Sequence, residues 1–195
     1  MQKLSEAIAT FFYVGKIKYA PGTFGSLPAF VIAYLTMRCA LSYPFAADDT
    51  FILYEKQLTL IVICELICFA VLFCIGTLCT HIYIRGKADQ DPKEVVIDEV
   101  VGQLLTIILC AFSAIILFFS PFGLIMEPIY FDIIFMFILP FGLFRIFDIY
   151  KPWPINWVDK KCKGALGVML DDILAAIFAS VVHYLIVSII LNFYN

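Results

Sequence analysis

RIFDIYKPWPINWVDKKCKGALGVMLDD, residues 145–172, decides the fold, because it wedges charges of both signs between two apolar runs long enough to enter a bilayer. A charged side chain near the hydrocarbon costs about 3 kcal/mol on insertion scales, so such a cluster marks chemistry at a membrane surface. The composition agrees. Hydrophobic residues make up 63% of the 195 and charged residues 15%, with a mean hydropathy of +0.99. A soluble domain is about half apolar and about a quarter charged, so the excess needs lipid.

Working outward, five apolar stretches reach the ~20 residues of a spanning helix, at roughly 24–45, 58–84, 100–120, 128–147 and 168–191. No alternating polar lumen face is visible, which excludes barrel strands. The expected fold is an all-α integral membrane bundle of about five spans, forming one domain over residues 1–195. Leu4 to Val14 is too short to span and reads as an interfacial helix. Lys3, Lys16 and Lys18 precede the first span, Arg85, Lys87 and Lys93 follow the second, and Arg145, Lys151, Lys160, Lys161 and Lys163 follow the fourth. By the positive-inside rule these regions and the N-terminus are cytoplasmic. The first loop, with Asp48, Asp49, Glu55 and Lys56, and the third, with Glu127, are then outside. A net charge of −3 leaves no basic stripe for nucleic acid. Oligomeric state is not encoded here.

This topology collects three polar segments at one face. In YAPGTFGS (19–26), Pro21, Gly22 and Gly25 make a tight turn, and Thr23 and Ser26 offer hydroxyls before a helix whose N-terminus favours anions. The plainer alternative is a capped entry turn with Thr23 or Ser26 as N-cap. In DPKEVVIDE (91–99), Asp91 reads as an N-cap followed by Pro92 and Glu94 at the first and third helical positions. Asp98 and Glu99 would lie two turns further in. Adjacent carboxylates among valines repel and are poorly solvated unless a cation neutralises them, and hard oxygen ligands suit Mg²⁺. In 145–172, Arg145 and Asp148, and Asp148 and Lys151, are spaced i, i+3 along one helix face up to Pro152. Asp171 and Asp172 enter the last span before Ala175, Ala176, Ala179 and Ser180, small residues that permit close helix approach. Adjacent residues diverge by about 100°, so one aspartate is expected to bind metal and the other to pair with a base. The alternative is a structural Arg–Asp–Lys network pinning helices.

APGTFGS at 20–26, DPKEVVIDEVVG at 91–102, and RIFDIYKPWPI with GALGVMLDDILA at 145–175 together resemble the signature blocks of the phosphatidylglycerophosphatase A family of bacterial inner-membrane lipid phosphatases. The blocks cover roughly a third of the chain, in the same order and spacing; Ala175-Ala176 replaces a position where the family often carries glycine. The resemblance implies Mg²⁺-dependent hydrolysis of phosphatidylglycerophosphate to phosphatidylglycerol and phosphate, at a site facing the cytoplasm. It places the family's acidic positions on Asp98, Glu99, Asp148, Asp171 and Asp172, its basic ones on Arg145 and Lys151, and its phosphate-binding turn on Pro21, Gly22, Thr23, Gly25 and Ser26. On that basis Asp98, Glu99 and Asp171 are expected to hold one or two Mg²⁺ ions, with Arg145 and Lys151 neutralising phosphoryl oxygens. Either water or an aspartate could attack phosphorus.

Other chemistries fit less well. Cys79 and Arg85 have cysteine-phosphatase spacing, but no glycine lies between them to cradle a phosphate. His81 and His183 fall near opposite ends of their spans, which a histidine-nucleophile mechanism does not allow. The seven cysteines lie mostly in apolar runs and read as buried thiols. Trp153 and Trp157 read as interfacial. The rival class is a small transporter or ion-binding membrane protein, which needs carboxylates near the midplane, open to both sides.

Overall fold

The computed structural model describes residues 2–45, 50–89 and 92–194, so Asp48, Asp49 and the expected cap Asp91 lie outside the described residues. Helices account for nearly all of it. α1 (Gln2–Ala9), a 3₁₀ turn (Val14–Lys16), α2 (Pro21–Ser26) and α3 (Pro28–Leu41) lead to the long α4 (Thr50–Ile84). α5 (Ile97–Phe118), α6 (Pro121–Ile125), α7 (Pro128–Phe131), a π-helical stretch (Asp132–Ile138) and α8 (Leu139–Tyr150) follow, then α9 (Ile155–Lys161) and α10 (Ala165–Tyr194). Among the described residues, five helices are long and apolar enough to cross a membrane: Pro21–Leu41, Ile52–Ile84, Ile97–Phe118, Pro128–Tyr150 and Ala165–Tyr194. These match the five stretches expected from the sequence, and the chain is an all-α membrane bundle.

α5 is the axis of that bundle. In its most apolar window 67% of residues are buried, against 28% or fewer in each other span. α10 runs along it, and Ala175, Ala176 and Ala179 are fully buried. Without a hydrophobic drive between helices in lipid, small residues at the contact are what allow close van der Waals packing. Gly102 marks the tightest approach: a Cβ there would stand 2.8 Å from the Phe144 ring and 3.0 Å from Cβ of Asp172.

The N-terminal segment departs from the simple interfacial helix expected over Leu4 to Val14. α1 ends at Ala9, and Phe11, Phe12 and Tyr13 adopt left-handed φ values of 41°, 52° and 69°, turning the chain back across the bundle. The Val96 N–H donates to the Ala9 carbonyl at 3.0 Å. That contact also explains a correction at the start of α5. Pro92 and Glu94 were expected as its first turn, yet the helix begins at Ile97. Val95 and Val96 are β-branched and resist helix, and Val96, with φ −138°, spends its N–H on α1. Glu94 accepts hydrogen bonds from Tyr83 Oη and from Lys87 Nζ, the latter at 3.0 Å. Tyr83, then Lys87, hold its carboxyl below the usual glutamate range.

At the far end of α5 from Ile97, His183 locks three elements. It is fully buried, with Nδ1 2.8 Å from Ser113 Oγ of α5 and Nε2 3.1 Å from the Phe135 carbonyl in the π-helical stretch. Pro140 lacks an N–H, so it cannot bond back into the preceding turn, and the residues just before it are the ones wound as a π-helix. Among the cysteines only Cys110 is buried; Cys39 and Cys74 are exposed, because their helices turn much of their surface outward rather than into the bundle.

His183→Leu removes both bonds while roughly keeping volume. Interhelical hydrogen bonds in membranes contribute about 0.6 kcal/mol on average and up to about 1.7, so the variant is expected to melt a few degrees lower in detergent. An unchanged melting curve would show that the node contributes nothing to stability.

Candidate active site

One cavity of about 390 Å³ opens at the end of the bundle where α5 and α10 begin. It gathers Pro21, Gly22 and Thr23 from α2, Asp98 and Glu99 from α5, Arg145, Asp148 and Lys151 at the end of α8, and Asp171 and Asp172 from α10. All three polar segments singled out in the sequence therefore meet, as expected. Lys93 also lines the mouth.

Asp98 and Glu99 occupy the first turn of α5, where the unpaired amides and the helix dipole favour carboxylates. Asp172 reaches them across the Gly102 contact. One oxygen from each of Asp98, Glu99 and Asp172 lies within 4.8 Å of the others. Glu99 Oε2 and Asp172 Oδ2 are buried and accept no hydrogen bond from the described residues. Such atoms are rare in folded proteins and call for a ligand or ion.

The cations are distributed differently. Arg145 Nη1 contacts Asp148 Oδ2 at 2.5 Å and donates to Ser26 Oγ at 3.4 Å; Ser26 in turn donates to the Gly22 carbonyl at 2.9 Å. Lys151 caps α8 in a left-handed conformation, φ 41°, and its ammonium binds Asp159 at 3.0 Å and, more closely, Asp171. Burial lowers its proton affinity, but hydrogen bonds and charge from Asp171 and Asp159 outweigh that and push it well above the ordinary lysine range.

The two aspartates part company, one beside carboxylates and one beside a base, where the sequence expectation set Asp171 with Asp98 and Glu99 as metal ligands. Asp172, and not Asp171, joins Asp98 and Glu99; Asp171 belongs to Lys151. Both face inward on α10, and only the Gly102 crossing decides which meets α5. The segment 21–26 is a short helix rather than an open turn, entered through Ala20 at φ 46°, with no side-chain cap from Thr23 or Ser26. Gly22 is required by contact: a Cβ there would lie 2.1 Å from Glu99 Oε1 and 3.0 Å from Arg145 Nη2. Gly25 instead packs on Val96, 2.7 Å from where its own Cβ would be, and does not line the cavity.

Several residues escaped the sequence reading. Asp159 shares Lys151, but nothing in a loop rich in lysine distinguishes one aspartate. Gln103, one turn along α5 from Glu99, is fully buried, and neither amide atom has a partner among the described residues; a lone glutamine four residues after an acid in an apolar run was the available signal. Glu65 is buried inside α4, where its carboxyl invites the same question.

A helical membrane bundle with carboxylates clustered beside arginine and lysine at one end defines a membrane protein with a built polar site, and comparison with known proteins gives it a family. The family model described as Phosphatidylglycerophosphatase A matches residues 7–187. The chain is 28% identical over 179 residues to Phosphatidylglycerophosphatase A of Escherichia coli K12, covering 92% of this chain and 81% of that protein. It is 52% identical to the Haemophilus influenzae protein of the same name over 46 residues, 24% of this chain and 28% of that one. A Bacteroides thetaiotaomicron protein named "Putative phosphatidylinositol-3-phosphatase" is 28% identical over 172 residues, 88% and 86% of the two chains. No solved structure matches. The chain belongs to the phosphatidylglycerophosphatase A family and is a phosphatase.

Two outcomes follow from this geometry. Gly22→Ala forces the Glu99 carboxylate to move and is expected to cut activity by about 100-fold, the scale of a small misplacement at a reacting centre, with the melting temperature little changed. Lys151 has a raised folded pKa, so its links are fully present below about pH 10 and are lost only as pH rises through the raised value. Rate against pH should therefore be the same for wild type and Lys151→Arg below about pH 10; an alkaline limb seen only in wild type would contradict this.

Proposed function

We propose that this chain is a magnesium-dependent phosphatase that converts phosphatidylglycerophosphate to phosphatidylglycerol and inorganic phosphate at the cytoplasmic face of a bacterial inner membrane. The observation that carries the metal requirement is a charge count. Among the described residues, five carboxylates (Asp98, Glu99, Asp148, Asp171, Asp172) and three cations (Lys93, Arg145, Lys151) line one cavity, a formal surplus of two negative charges. Such a site repels a phosphomonoester dianion until a divalent cation reverses its sign. The donor set fits Mg²⁺: three hard carboxylates, two of them with orphaned buried oxygens, would hold it. When bound, magnesium supplies Lewis acidity toward phosphoryl oxygens and toward water.

The remaining work belongs to the chain. Arg145, fixed by Asp148 and Ser26, presents its guanidinium beside Gly22 as a planar clamp for phosphoryl oxygens. Lys151, held charged by Asp171 and Asp159, adds a point charge to the same cavity. Asp148 orients Arg145, and Asp171 orients Lys151, so neither cation must reorganise as charge shifts in the transition state. The lysines and arginines flanking this end of the bundle support the cytoplasmic orientation. A transport role is disfavoured because the acid cluster lies at helix starts on one end, while Glu65 stands apart in another span.

The test is phosphate release from phosphatidylglycerophosphate in micelles, with phosphatidylinositol 3-phosphate as comparator. Wild type should release phosphate from the former with Mg²⁺ and not with excess chelator. Asp172→Asn should raise the Mg²⁺ concentration needed for half-activity by about tenfold or more, as removal of a charged ligand implies, while Asp171→Asn should lower the rate with little change in that requirement. Equal Mg²⁺ dependence in all three proteins would sink the assignment, and preference for the inositol lipid would replace the substrate.

A further inference from the structure

The polar cavity gives way to an apolar groove of about 440 Å³ on the other side of α2. Its walls are Phe11, Val14 and Ile17 from the reversal after α1, and Phe24, Leu27 and Val31 from α2, α3 and their junction, with no charged side chain among the lining residues. We propose that this groove holds an acyl chain of the lipid whose phosphate enters the polar cavity, a placement that rests on the lipid-phosphatase reading.

Continuity is the first reason. Pro21, Gly22 and Thr23 line the cavity, while Phe24 and Leu27, the next residues along the same near-continuous helix, line the groove. From Thr23 to Val31 the helix rises about 12 Å, a span suited to the glycerol–phosphodiester–glycerol backbone between a terminal phosphate and the chains. Lys18, exposed, lies in sequence between Ile17 of the groove and Ala20 of the cavity. The second reason is how the outer wall is built. Phe11, Phe12 and Tyr13 are all left-handed without being glycine, a conformation that persists only where surroundings impose it and that clusters at ligand clamps. Here Gly15 N–H bonds the Thr10 carbonyl at 3.0 Å, and Val96 N–H bonds Ala9. Those bonds hold Phe11 and Val14 over the first span instead of letting the segment lie flat. Phe24 and Leu27 are nonetheless 44% and 37% exposed, so the groove is walled but unfilled by protein. A chain entering it is tethered to a headgroup already at Arg145, which favours the substrate's own chain over bulk lipid through effective concentration.

The test uses full-length protein in two arms. Val31→Trp fills the groove from α3, and Ile17→Trp fills it from an exposed position where folding is not at stake. Each is assayed with long-chain and dihexanoyl phosphatidylglycerophosphate. Because a second, tethered contact strengthens binding by about a hundredfold or more, kcat/KM for the long-chain lipid should fall at least about tenfold, and that for the dihexanoyl lipid less than about twofold. Equal losses on both lipids, or none, would overturn the groove. In the second arm, phosphatidylglycerol with a photoactivatable acyl chain is cross-linked to wild type and Ile17→Trp. Label concentrated in residues 11–31 and lost in the variant supports the groove; label spread evenly over the outer helix faces overturns it. If wild type releases no phosphate from either lipid, the phosphatase reading fails, and the cross-linking alone decides whether the groove binds a lipid chain.

Discussion

The structure depends on one close approach, at Gly102. There α5 meets both α8 and α10, and any side chain would strike the Phe144 ring and Asp172 Cβ. Two functional groups are set by that single contact. Arg145 follows Phe144 in sequence, and Asp172 is itself the neighbour, so the distance of each from Glu99, three residues before Gly102, is fixed by backbone packing rather than by side-chain flexibility. The buried alanines 175, 176 and 179 extend the approach along α10, which is why the contact holds over several turns. In lipid, where apolar surfaces gain nothing by leaving solvent, such small-residue seams are what bring helices together.

The electrostatics follow from that geometry. Arg145 is committed to Asp148 and Lys151 to Asp171 and Asp159, while one oxygen from each of Asp98, Glu99 and Asp172 converges at the seam. A lone buried carboxylate would be costly, and three together more so. The first turn of α5 offsets part of that through its dipole. What remains is a concentration of negative charge at one point, framed by the two paired cations. The same close packing that concentrates these carboxylates therefore also fixes where they stand.

Much of this was legible in the sequence. Span number and approximate limits follow from apolar length alone, and the meeting of three polar segments follows from loop charge. What stayed hidden depends on tertiary contact. Asp171 and Asp172 differ by about 100° on a helix, and nothing local says which faces α5. The start of α5 was misread because Asp91-Pro92 is a sound helix opening on local grounds, whereas the hydrogen bond from Val96 to Ala9 is contact between segments distant in sequence. The left-handed run at Phe11 to Tyr13 carries no glycine or asparagine to announce it. Gln103 reads as one polar residue in a membrane helix until its burial and its position behind Glu99 are seen together.

The two ends of the bundle divide the labour between reactivity and rigidity. At the end away from the cavity, His183 ties α10 to Ser113 and to the Phe135 carbonyl, and Phe118, Phe131, Phe122 and Phe135 pack ring against ring. Both α5 and α10 carry the carboxylates near their starts and run on into this aromatic and hydrogen-bonded clamp. Repulsion among Asp98, Glu99 and Asp172 would splay the helices if they were joined only at the site. Anchored at the far end and closed at Gly102 near the site, they cannot relax apart without breaking both contacts. Electrostatic stabilisation of a transition state works when charges are held in place before the reaction begins. In this fold that holding is done by uncharged groups: a glycine, three alanines, a cluster of phenylalanines and a buried histidine.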